Sequence, residues 1–150
     1  MKLDARAAEL RSLLDGPSPA TITLYREDGE AITSPVWFQV VDEAFEFVVA
    51  ASDSKLGHLR RDARCVLLIF EARPPFRGVM VRDRATVRFD EGAHARLAIA
   101  IRYLGPEAGH AYADLGRRPP GWIVRLPTEA ARAWDLADKL PPGSSGAGQS

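Results

Sequence analysis

The sequence predicts an α+β fold made mainly of strands: a small antiparallel barrel of six or seven strands with flanking helices. Three observations predict it. Short runs alternate apolar and polar residues at a period of two, and tight turn signals join them. Asp28-Gly29 sits between two such runs and marks a hairpin, because both residue types tolerate positive φ. The chain has no repeating strand–helix–strand pattern and no GxGxxG, which argues against a doubly wound nucleotide fold.

Residues 4–14 read as an amphipathic helix with Ala7, Leu10, Leu13 and Leu14 on one stripe, stopped by Asp15-Gly16-Pro17. Residues 21–25 alternate, with Ile22 and Leu24 on one face. The return strand covers about 31–41. Ile32, Ser34, Val36, Phe38 and Val40 share one face, and Thr33, Pro35, Trp37 and Gln39 share the other. Pro35 has no N–H, so it points to an edge or a bulge. Asp42-Glu43 turns the chain into a third strand at 44–51.

The period then changes. Ser52-Asp53-Ser54 offers caps for a short helix over 55–61, with Leu56 and Leu59 inward. Residues 64–70 are apolar on both faces and read as a fully buried strand. Pro74-Pro75 falls in a loop at 71–76, and 77–89 alternates as one long strand with Asp83 out of place on its apolar side. Asp90 caps a helix reaching Leu104, ended by Gly105-Pro106, and Pro106 opens a further helix to Leu115. Residues 122–126 form the last clear strand, closed by Pro127. Residues 128–139 read as helical on propensity. The Gly/Ser/Pro-rich residues 141–150 read as a disordered tail beyond one domain over 1–140.

Composition narrows the function classes. The chain has 150 residues, enough to bury a core without metals or disulfides. Twenty basic residues balance twenty acidic ones, so bulk charge gives no reason to expect a nucleic-acid or membrane partner. Cys65 has no second cysteine to pair with and sits in an apolar run, which suits a reducing compartment. Met1 to Leu14 is charged throughout, and no stretch approaches the roughly 18–20 apolar residues of a membrane span, so a cytoplasmic location is expected.

The run Ser34-Pro35-Val36-Trp37-Phe38 is followed by Phe45-Glu46-Phe47-Val48-Val49 and then by Lys55-Leu56-Gly57-His58-Leu59-Arg60-Arg61-Asp62. Together with Pro75-Phe76-Arg77-Gly78-Val79-Met80-Val81, Arg102-Tyr103-Leu104-Gly105 and the run from Pro127 to Asp135, it resembles the pyridoxamine 5'-phosphate oxidase-like flavin and deazaflavin oxidoreductases over roughly residues 5–136. His58, Ala63 and Asp83 depart from that pattern, where asparagine, proline and glycine are usual. The resemblance implies an FMN-binding type of split β-barrel and a homodimer with cofactor sites shared between subunits. It further implies hydride transfer from reduced cofactor F420 to an unsaturated small molecule. The "SPVWF" strand is similar to the branch that prefers F420 over FMN. The alternatives are an FMN-dependent oxidoreductase of the pyridoxamine-phosphate-oxidase type and a non-enzymatic cofactor carrier, sensor or haem-degrading relative.

The candidate site follows. Ser52 and Lys55 stand at the start of the short helix, where unpaired N–H groups favour an anion, and Arg60, Arg61 and Arg64 add positive potential. The plainer reading is a capped surface helix with a solvated basic face. Trp37 can wall a planar ring or pack in a core or an interface. Arg77 can reach a phosphate or a ring edge, or lie on the surface. The cofactor-binding set that the resemblance implies is Ser34, Val36, Trp37, Ala51, Ser52, Lys55, Arg60, Arg61, Phe76 and Arg77. Arg82, Arg84 and Arg88 read as a solvated or interface stripe. His58, His94 and His110 lie in different helices without ligand spacing, so no metal site is expected, and no catalytic acid is named.

Overall fold

A computed structural model describes residues 10–115 and 118–144. The described strands form two antiparallel sheets. The first holds β1 (Ala20–Tyr25), β2 (Ala31–Pro35), β5 (Arg64–Phe70), β6 (Gly78–Arg84) and β9 (Ala131–Trp134), in the order β2-β1-β5-β6-β9. The second holds β3 (Gln39–Val41), β4 (Ala44–Val49), β7 (Thr86–Phe89) and β8 (Trp122–Pro127), in the order β3-β4-β8-β7. Four helices flank them: α1 (10–15), α2 (Ser54–Arg61), α3 (His94–Leu104) and α4 (Pro106–Asp114). The core lies between the sheets. Ile22, Leu67, Val81 and Ala131 form one cross-strand row of the first sheet, facing Phe45, Phe47, Val124 and Leu126 of the second. Leu10, Leu13 and Leu14 close it from α1; residues 4–9 of the expected helix, Gly116, and 145–150 of the expected tail lie outside the described residues.

The extra strands arise where the chain changes sheets. The run at 31–41 is two strands, β2 in the first sheet and β3 in the second. Val36 N donates to Ala20 O at 3.0 Å as the chain leaves the first sheet, and Phe38 drops into the core with 0% exposure. Pro35 ends the edge strand β2, where a missing N–H costs nothing. The run at 77–89 divides at Ala85, whose N–H donates to Ala63 O at 2.7 Å. Asp83 is exposed beyond the last core residue of β6, Val81, so it carries no burial penalty.

Two hairpins follow the turn chemistry. Gly29 takes φ 86°, while Asp28 stays at negative φ and accepts a bond from Glu30 N at 3.0 Å. Asp42 and Glu43 both have positive φ, 49° and 61°, as a two-residue turn between right-twisted strands requires. Asp90 is 1% exposed and accepts bonds from Ala95 N and Arg96 N, so it caps α3 across the single turn Glu91–Ala93.

The helix expected at 128–139 is absent. Thr128–Ala130 and Ala137–Lys139 are single 3-10 turns, and β9 lies between them against β6. The open edge of β6 overrides the helical propensity of this segment. Gly78 makes the pairing possible: a Cβ there would lie 2.0 Å from the Trp134 ring.

Candidate functional site

The crossing from β2 to β3 opens a cleft. Pro35, Val36 and Trp37 form one wall, Val48, Val49 and Ala50 at the end of β4 form the floor, and Asp53 and Lys55 enter from the start of α2. Arg96 and Ile99 of α3, Tyr112 and Ala113 of α4, and Arg118 complete a space of about 390 Å³. α3 packs against β3 and β4 of the second sheet, and α4 packs on α3. Gly109 sets how closely they pack, since a Cβ there would lie 2.6 Å from the Ile101 Cα. Gly121 does the same for the loop before β8, where a Cβ would meet Val49 O at 2.4 Å.

Trp37 is held in place. It stacks on Tyr103 at 5.1 Å between centroids, 11° from parallel, and meets Tyr112 at 5.1 Å and 47°. Tyr103 is fixed in turn: its hydroxyl donates to Ser18 O at 2.9 Å and accepts from Phe38 N at 3.3 Å. Burial pushes the Tyr103 phenol above its ordinary range, so it stays neutral and serves as a prop. Trp37 remains 37% exposed toward the cleft, and Val48, Val49 and Ile99 make the remaining surface apolar.

Asp53 occupies the start of α2. Its carboxylate accepts Lys55 N at 2.9 Å and pairs with Lys55 Nζ at 2.9 Å. Partial burial alone would raise the Asp53 pKa, but the bonds and charge of Lys55 outweigh it and hold the carboxyl below its usual range. Lys55 therefore reaches the cleft already half-neutralised. The lining carries three cations, Lys55, Arg96 and Arg118, against one carboxylate, Asp53.

The structure brings together only part of the sequence-predicted set. Val36, Trp37 and Lys55 line the cleft, and the exposed Ala51 and Ser52 lie in the turn between Ala50 and Asp53 beside it. Ser34 lies in β2 away from the lining. Arg60 covers the Trp122 ring at 4.4 Å, and Arg61 donates to Tyr25 O at 2.7 Å. Arg64 pairs with Asp62 at 2.7 Å and holds that carboxyl down at about 2. Arg77 bonds Glu71 and Ser12, and the exposed Phe76 sits beside it; neither lines this cleft. Of the basic stripe, Arg88 pairs with the buried Glu46, which Arg125 also holds at 2.6 Å, while Arg82 and Arg84 are exposed.

Sequence reasoning missed Arg96, Ile99, Tyr112 and Arg118. On an amphipathic helix Arg96 has no mark that separates it from a surface arginine. Tyr112 and Arg118 lie in and after α4, in a stretch that carries no readable motif. Among the described residues no three His, Cys, Asp or Glu side chains cluster as a metal would need, and no helix is long and apolar enough to cross a membrane.

No family model matches the chain, and no curated protein matches it. Solved structures do. A conserved hypothetical protein from Mycobacterium tuberculosis is 24% identical with a TM-score of 0.75, covering 93% of this chain and 91% of that one. An F420 reductase is 20% identical with a TM-score of 0.65, covering 81% and 94%. A protein of the pyridoxinephosphate oxidase family from Clostridium acetobutylicum, related to general stress protein 26, is 14% identical with a TM-score of 0.62, covering 88% and 89%. The fold that the sequence resemblance implied is thus present, and the chain has the two-sheet split-barrel architecture of the pyridoxamine 5'-phosphate oxidase-like proteins.

Proposed function

We propose that this chain is a cofactor F420-dependent oxidoreductase that reduces an unsaturated small molecule. The observation that carries the reading is the cleft: an aromatic wall at Trp37 and an apolar floor beside an excess of cations. A planar ring bearing an anionic group fits that donor set, because the ring needs apolar faces and the anion needs fixed positive charge. When bound, the reduced deazaflavin supplies the hydride. The chain's own residues do the rest. Trp37 and Tyr112 orient a flat molecule, Val48, Val49 and Ile99 keep water from it, and Lys55 with the start of α2 holds an anion. FMN is the second candidate cofactor, the alternative that the sequence resemblance implies.

The reading includes a homodimer in the cytoplasm. Val66, Leu68, Phe70, Met80 and Trp134 stay only half-buried on the outer face of the first sheet, an apolar surface suited to a second copy. In this reading Ser34, Arg60, Arg61, Phe76 and Arg77, which do not line this cleft, belong to a site shared between the two subunits.

The test is a fluorescence titration of the protein with F420 and with FMN, repeated on Lys55→Ala and followed by turnover of an enone with the reduced deazaflavin. F420 binding that weakens in the variant, with enone-dependent oxidation in the wild type, is expected. A protein that binds neither molecule removes the reading.

A further inference from the structure

Lys55 is the cation that the sequence assigns to the anion, yet it is the one already paired. Its ammonium lies 2.9 Å from the Asp53 carboxylate. The other two cations of the cleft have no such partner: among the described residues no carboxylate pairs with Arg96 or Arg118. Arg96 is also fixed. Its Nη2 donates to Pro119 O at 3.0 Å, its backbone N–H is bound to Asp90, and the missing side chain of Gly121 leaves room for the guanidinium. With one donor spent on a carbonyl, the Arg96 guanidinium keeps four more N–H donors for a ligand. A guanidinium fork with free donors matches the geometry of a phosphate or carboxylate oxyanion.

We infer that Arg96 and Arg118 form an oxyanion clamp on the α3–α4 side of the cleft, and that this clamp, more than Lys55, grips the ligand's negative group. The ligand chemistry is a phosphate or carboxylate oxyanion. It belongs either to the ring-bearing cofactor or to an anionic substrate beside it. Only this last assignment rests on the proposed function; the clamp itself does not.

Inorganic phosphate tests the clamp without any cofactor. Titration of wild-type protein, followed by tryptophan fluorescence and by calorimetry, is expected to give saturable binding. Arg118→Gln and Arg96→Gln each weaken it at least tenfold, Arg96→Lys restores part of it, and Lys55→Ala weakens it less than either glutamine variant. Arg118 is exposed and makes no hydrogen bond or ion pair among the described residues, so its variant remains informative if Arg96→Gln disturbs the loop. Competition then separates the two sources. Phosphate that displaces FMN, with FMN bound at least tenfold tighter than riboflavin, assigns the clamp to the cofactor; phosphate that binds alongside FMN assigns it to the substrate. No phosphate binding by the wild type overturns the clamp, as does wild-type affinity in both the Arg118→Gln and Arg96→Gln proteins. Phosphate bound at the clamp with no affinity for F420 or FMN leaves the clamp standing and removes the oxidoreductase reading.

Discussion

At the scale of single residues, burial decides which groups are chemically available. Cys65 is 1% exposed within the core, and desolvation pushes its thiol up to about 12. The nucleophile is the thiolate, so Cys65 is inert in the native state. A thiol reagent at pH 8 should leave the native protein unmodified and label one site per chain in denaturant; fast native labelling would contradict this. Linkage gives the sign of a second effect. The folded chain keeps this proton while the unfolded chain loses it near its ordinary pKa of about 8.5. The contribution of Cys65 to stability is therefore complete below that pH and is lost as pH rises toward 12, which urea unfolding of wild type and Cys65→Ala as a function of pH will reveal. Trp37 shows the same principle in reverse. Its stack on Tyr103 takes one face, and its exposed remainder marks the cleft.

At the scale of elements, the sequence was most readable where local chemistry decides. The hairpin at Asp28-Gly29, the Asp53 cap, the α3–α4 break at Gly105-Pro106 and the edge position of Pro35 all follow from backbone rules. It was least readable where long-range pairing decides. A strand that changes sheets keeps its period of two, so 31–41 and 77–89 each look continuous. Residues 128–139 look helical until the open edge of β6 recruits 131–134. The site divides in the same way. Trp37 and Lys55 lie in local motifs, whereas Arg96 and Arg118 join the cleft only because α3, α4 and the loop before β8 pack there. Gly109 makes that packing testable. In Gly109→Ala the new methyl meets Ile101 backbone, which cannot move aside, so α4 shifts off α3 and carries Tyr112 with it. The expected cost is about 1–3 kcal/mol of stability, with roughly tenfold weaker F420 binding, a difference of about 1.4 kcal/mol. Unchanged thermal unfolding and unchanged affinity would show that the helix contact does not shape the cleft.

At the scale of the whole molecule, two sheets share one core while the outer face of the first keeps an apolar band rimmed by Arg82, Arg84 and Arg132. Pairing two such faces removes the band from water. Leu68→Glu at its centre should convert a dimer to a monomer in sedimentation experiments, with the fold retained by circular dichroism. A wild-type protein that sediments as a monomer at all concentrations would refute the shared-site arrangement. The central claim, however, is the location of the anionic, ring-bearing ligand, and hydrogen–deuterium exchange with and without F420 addresses it most directly. The account predicts slowed exchange at the β2–β3 crossing around Trp37, the end of β4 through Lys55, and α3 with α4, with any further protection limited to the shared-site segments around Arg60 and Arg77. Protection that leaves the cleft segments unchanged, or none at saturating F420, would contradict it.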